Sequence, residues 1–155
     1  MKKLFTFIAI FLLFSACSSD AASSTKPSQP ESDKGTVPMK LKIHVNDTTF
    51  TATLADNSSA QALVELLQKG DLTLDMEDFS NFEKVADLPV TLPRNDTPTD
   101  TDAGDLILYL GKRIVIYYDK NSWNFTPLGK IDNVNKKRLK QILGDGNATV
   151  TFSVK

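Results

Sequence analysis

From Met39 onward the apolar residues of this chain recur at every second position in short runs. That period constrains the fold more than anything else in the sequence. Met39, Leu41, Ile43 and Val45 alternate with Lys40, Lys42, His44 and Asn46, the period of a half-buried strand. Asn46-Asp47 suits a two-residue turn. After it Phe50, Ala52 and Leu54 alternate with Thr49, Thr51 and Thr53. This turn sets Ile43 opposite Phe50 and Leu41 opposite Ala52, so the apolar faces match in register. Leu72, Leu74 and Met76 predict another strand, and Val150, Phe152 and Val154 a last one. Gly111-Lys112 is expected to join Asp105–Leu110 to Arg113–Tyr118. With that turn Ile107, Tyr109, Ile114 and Ile116 share one face, and Leu106, Leu108, Val115 and Tyr117 the other. Both faces are apolar, so the hairpin should be central and covered on both sides.

Two helices interrupt the strands. Ser58-Ser59-Ala60-Gln61 has the form of a capping box. It should open a helix running to Lys69, with Ala60, Leu63, Leu66 and Leu67 on its buried face and Gly70 as its end. The second helix is expected over about Asn135–Leu143, with Leu139, Ile142 and Leu143 buried and Gly144 as the stop. About eight short strands and two helices, joined mostly by hairpin turns, give a mainly β fold with segregated helices. Closing the sheet into a barrel would remove its exposed edges.

The first 38 residues have a different composition. Lys2 and Lys3 precede an apolar run from Leu4 to Phe14. The run is too short for a span of ~20 residues and has the layout of an export signal. Phe14-Ser15-Ala16-Cys17 resembles the bacterial lipoprotein signal, in which a diacylglycerol is joined to the Cys thiol and cleavage leaves that Cys first. The resemblance implies a signal peptide over 1–16 and lipidation of Cys17. It also implies a protein held by its lipid anchor to a membrane of the bacterial cell envelope, with its domain outside the cytoplasm. More than one acyl chain makes such an anchor stable. Ser18–Pro38 has almost nothing to bury and is expected to be a disordered tether reaching about 25 Å. The folded domain is then 39–155.

Charge and chemistry exclude several functions. The 18 Lys+Arg against 19 Asp+Glu give a net charge of −1, without the clustered positive charge that nucleic-acid binding requires. One His and one Cys are too few for a Cys/His metal site. Asp100-Thr101-Asp102 resembles the start of a calcium loop, but Gly111 stands at the closing position where a Glu is required. Asp96, Asp100, Asp102 and Asp105 are therefore expected in a solvated turn. No metal and no cofactor is expected. His44, on the lysine-bearing face of its strand, should be exposed. The chain has no nucleophile elbow and no carboxylate dyad, which disfavours a hydrolase.

Four segments together resemble the bacterial cyclophilin-like domain family over about residues 40–154. They are Gly104-Asp105 through Gly111, Ile114–Tyr118, Ser122-Trp123-Asn124-Phe125 through Ile131, and Gly144-Asp145-Gly146 with Thr149–Phe152. Leu92-Pro93-Arg94 and Leu128-Gly129-Lys130-Ile131 belong to the same likeness. The resemblance implies a closed or nearly closed eight-stranded antiparallel barrel capped by two helices. Cyclophilins isomerise X–Pro bonds with an Arg in a Phe-His-Arg-Val-Ile strand. The matching segment here is Phe82-Glu83-Lys84-Val85-Ala86, with Lys84 in the place of the Arg. A lysine is a mobile ammonium without the planar fork of a guanidinium.

The residues expected to line a groove are Phe79, Phe82, Lys84, Arg94, Tyr118, Trp123 and Phe125. Trp123 and Phe125, two apart, share a face and either line the groove or fill the core beneath a loop. Arg94 is either solvated or a donor to a carbonyl or carboxylate at the rim. Lys84 reads as an exposed strand residue. The expected function is a membrane-anchored binding or accessory module without catalysis of its own, its ligand a peptide or a small molecule. The alternative is a divergent peptidyl-prolyl isomerase acting on exported proteins.

Overall fold

The computed structural model describes residues 39–154. The expected signal peptide, Cys17 and the Ser18–Pro38 tether lie outside the described residues. Among the described residues nine strands and two helices follow one another. β1 (Lys40–Val45) and β2 (Thr48–Leu54) precede α1 (Ser58–Gln68). Then come β3 (Leu72–Phe79), β4 (Glu83–Asp87), β5 (Thr97–Asp100), β6 (Asp105–Tyr109), β7 (Arg113–Tyr117) and β8 (Ser122–Ile131). α2 (Lys136–Leu143) and β9 (Ala148–Ser153) complete the domain.

Eight of the strands close a barrel in the order β2-β1-β9-β3-β4-β7-β6-β8, and β8 pairs back onto β2. All the pairings are antiparallel. The ninth strand, β5, stands outside the ring and pairs only with the Ser122–Phe125 half of β8. It carries Pro98, which an edge strand tolerates because no ladder bond is required of its nitrogen there. Part of the acidic segment expected as a solvated turn is thus a strand. Its carboxylates have separate partners: Asp96 pairs with Arg94, Asp100 with Ser122 and Asp105 with Lys130.

The β1–β2 hairpin has the register that its alternation predicts, with Ile43 opposite Phe50 and Leu41 opposite Ala52. The β6–β7 hairpin does not. Tyr109 pairs with Arg113, leaving a three-residue loop, Leu110-Gly111-Lys112, where a two-residue turn is expected. Leu110 and Gly111 both take positive φ, 51° and 72°. The extra residue shifts β7 by one position relative to β6, and a one-residue shift exchanges the faces of a strand. Leu106, Leu108, Ile114 and Ile116 therefore point into the barrel. Ile107, Val115 and Tyr117 form a second cluster outside it. Ile107 does not share the core of Phe50, Leu63, Leu67, Ile116, Ile142 and Phe152.

Inward residues of the strands and the buried faces of both helices form one continuous core. In a closed barrel such a core is reached only through the open ends. α1 sits at the end where β2 leaves, tied by Asn57 Nδ2 donating to Pro127 O at 2.8 Å. α2 sits at the end of the β1–β2 turn, where Asn46 Nδ2 donates to Ile142 O at 3.3 Å. The α1 cap is Asn57, one residue before the expected capping box, its side chain accepting from Ala60 N at 2.9 Å. Ser59 is buried instead, donating to Pro93 O at 2.6 Å. α2 is capped by Asn135 and ends at Gly144.

Gly129 makes the closing seam possible. A Cβ there would lie 2.4 Å from Thr53 O and 2.9 Å from the Leu54 Cα. Only a residue without a side chain lets β8 lie this close to β2.

Candidate functional site

The outer cluster is the floor of a groove. β4, β7 and β6 lie side by side, and their outward residues stand in rows: Glu83 opposite Tyr117, Val85 opposite Val115, and Val115 opposite Ile107. The half of β8 that pairs with β5 brings Trp123 and Phe125 over this surface. Six aromatic side chains line the hollow: Phe79, Phe82, Tyr109, Tyr117, Trp123 and Phe125. Five of them make a chain of ring contacts. Phe79 meets Phe82 edge-on at 5.9 Å, Phe82 stacks on Tyr117 at 6.1 Å, and Phe125 lies 5.6 Å from Tyr117 and 6.2 Å from Tyr109. The hollow measures about 390 Å³, within the range of small-molecule sites. Phe125 is almost fully buried, whereas Trp123 is 66% and Phe79 55% exposed. Large apolar side chains left in water in one contiguous place mark an interaction surface.

Phe79, Phe82, Trp123 and Phe125 come together as expected. Lys84, Tyr118 and Arg94 do not join them. Lys84 is fully buried on the opposite face of β4, inside the barrel, and is not an exposed strand residue. It pairs with Asp78 at 2.6 Å, donates to Gly144 O at 3.1 Å and also bonds Gly146 O. Tyr118 is interior too, its hydroxyl donating to Asp78 at 2.6 Å. Burial pushes the Asp78 carboxyl up, but the hydrogen bonds from Lys84 and Tyr118 outweigh it and hold the group below the usual carboxylate range. Arg94 is half exposed, bound to Asp96, and does not line the groove.

The misplacement of Lys84 has a local cause. Alternation alone puts Phe82 and Lys84 on one face. Phe82, however, belongs to a loop with Ser80 and Asn81, both at positive φ. Its carbonyl accepts from the N–H groups of both Tyr118 and Asp119, at 3.0 and 3.2 Å. Phe82 therefore lies outside the β4 ladder, which begins at Glu83, and the alternation of the strand does not extend to it. Phe82 thus turns outward while Lys84, opposite Ile116, turns inward.

The groove also holds residues that the sequence reading missed, chiefly Glu83, Tyr117, Tyr109 and Arg113. Tyr117 follows from Ile114 and Ile116 pointing inward, once the loop length is known. Asn121 positions it, donating from Nδ2 to the Tyr117 hydroxyl at 3.3 Å. Asn121 is itself held by Thr101, which accepts its N–H at 2.9 Å. Arg113, at the other end, is joined to Asp87 through Nε at 3.1 Å. Burial raises the Glu83 carboxyl above its ordinary value, partly offset by the Tyr117 hydroxyl. Burial likewise raises Tyr117, and the neighbouring Glu83 raises it further.

Among the described residues no three of His, Cys, Asp and Glu stand together so as to hold a metal ion. His44 is exposed, its Nδ1 3.0 Å from Thr49 Oγ1. Other hollows are surface features. One, about 550 Å³, lies over α2 among Lys136, Lys137 and Lys140.

A closed eight-stranded barrel with a helix at each end and an aromatic groove on its outer wall defines a cyclophilin-type domain. The sequence profile of the cyclophilin-like family matches residues 43–153, and the chain belongs to that family. No curated protein matches the chain.

Proposed function

We propose that this cyclophilin-like domain is a binding module without isomerase activity, held to a bacterial membrane through Cys17 and displayed outside the cytoplasm. The observation that carries the reading is the direction of Lys84. Isomerisation has to lower a barrier of ~18–20 kcal/mol, and a donor aimed at the prolyl nitrogen lowers it by weakening amide resonance. The residue matching the family's Arg faces the barrel interior and is bound to Asp78 and two carbonyls. It cannot reach a ligand in the groove. The aromatic lining needs no such donor to bind, because rings supply contact area at low entropic cost.

A divergent isomerase acting on exported proteins is the competing reading, and Arg113 is the observation in its favour. It is the guanidinium that lines the groove, although Asp87 engages its Nε. An X–Pro peptide assay on the purified domain separates the two. We expect no acceleration of isomerisation, and at least a ten-fold loss of groove binding in Trp123→Ala. Rapid isomerisation abolished by Arg113→Lys would replace the binding reading with the enzymatic one.

The anchor has its own test. Cys17→Ala should abolish metabolic labelling with a fatty acid and move the protein out of the detergent phase. Unchanged labelling would remove the anchor from the proposal.

A further inference from the structure

Glu83 is the acidic side chain that lines the groove. Its side chain lines the hollow, yet its Oε2 is shut off from solvent and has no hydrogen-bond partner among the described residues. A buried carboxylate oxygen left unmatched is costly, and the Tyr117 hydroxyl beside the carboxyl offsets its desolvation only in part. Its neighbours offer no cation. Its strand partners are Phe79 on β3 and Tyr117 on β7. Lys84, next in sequence, points to the other side of the sheet and is engaged by Asp78. Arg113 pairs across the ladder with Asp87, four residues along β4, which is about 13 Å at ~3.3 Å per residue. Phe82, Tyr117 and Trp123 line the same hollow as Glu83, and aromatic rings attract cations through their π systems.

We propose that the groove takes a small organic cation, an ammonium group on an apolar body, with the ammonium against Glu83 and the apolar part among the aromatic rings. This rests on the groove being the binding surface. A small ligand is favoured over a long one because the hollow, about 390 Å³, suits one apolar group and its charged end. The closed-off Oε2 stays where it is; the ammonium meets the carboxylate at its other oxygen, and a charge-assisted bond there offsets a charge that no cation of the described residues pairs with.

Two probes of one shape test this, 2-phenylethylammonium and 2-phenylethanol. Trp123 is the single tryptophan of the chain and lines the groove, so its fluorescence reports occupancy directly. The cation is expected to bind about ten-fold more tightly than the alcohol, the scale of one charge-assisted contact with cation–π support. In Glu83→Gln the preference should fall to less than about two-fold while the alcohol's affinity is retained. That retained affinity also shows that the variant is folded. Equal affinity of the two probes for the unaltered protein would overturn the charge preference and leave the groove reading standing. A preference that persists in Glu83→Gln would do the same. Failure of both probes to bind at millimolar concentration would overturn the groove reading and the preference with it. A lysine-containing tripeptide, blocked at both ends, binding ten-fold tighter than the free amine would overturn the assignment to a small ligand.

Discussion

Replacing Lys84 by Ala is expected to destabilise the domain by about 3–5 kcal/mol, the usual effect of removing one partner of a buried ion pair. Lys84 is fully buried and its Nζ lies 2.6 Å from Asp78. The same ammonium satisfies the carbonyls of Gly144 and Gly146 in the turn between α2 and β9. One side chain thus joins β3, β4 and the end of α2. Its loss removes the counter-ion of the Asp78 carboxylate, which among the described residues keeps only Tyr118 and Asn81 as donors, takes a donor from two carbonyl oxygens, and leaves a cavity beside Tyr118. For a domain of this size the loss corresponds to a fall in Tm of roughly 10–20 °C. The effect depends on pH. Asp78 titrates below the usual carboxylate range in the folded protein. The stability it contributes is therefore complete above the ordinary value of 3.8 and is lost as the pH falls through its lower folded value. Urea titrations should accordingly show a wide gap between Lys84→Ala and the unaltered protein at pH 7, narrowing below about pH 4. Groove binding by folded Lys84→Ala should change little, since the groove lies on the other side of the sheet. A loss of under 1 kcal/mol at pH 7 would show that water reaches the pair.

Leu67→Ala should cost a further large amount in a separate variant, about 2–5 kcal/mol. Leu67 is fully buried on the α1 face that also carries Ala60 and Leu63, and it belongs to the barrel core. Removing its side chain leaves a void in that core, and the cost includes a cavity term. Lys69, at the exposed C-cap of the same helix, is the control, and Lys69→Ala should stay within about 0.5 kcal/mol. Equal midpoints for the two variants in denaturant would mean that α1 contributes little to the core.

The strand alternation, the Asn46-Asp47 turn and the amphipathic faces of α1 and α2 were legible in the sequence, because each depends on residues a few positions apart. Period-two patterns select strands wherever one face is buried, and a two-residue turn then leaves a single register that matches both faces. The aromatic part of the groove was legible for a similar reason. Phe79, Phe82, Trp123 and Phe125 are large apolar residues in segments otherwise polar, and such residues need either a core or a partner.

The tertiary structure decided which way the remaining side chains point. One extra residue in the Leu110-Gly111-Lys112 loop moved Tyr117 outward and Tyr118 inward. The Ser80-Asn81-Phe82 loop takes Phe82 out of the β4 alternation, so Phe82 and Glu83 both line the groove while Lys84 faces the barrel interior. Neither change alters composition or period over the strands themselves, so neither is visible in a pattern of apolar and polar residues. Lys84 also offered no signal of burial, since a lysine is buried only when a distant chain segment brings it partners. Asp78 lies six residues away, but Gly144 and Gly146 lie 60 and 62 residues away, and only closure of the barrel against α2 brings them to its ammonium. Face selection in a strand turns on a single residue of loop length, and that length is set by how the two strands meet in the closed sheet.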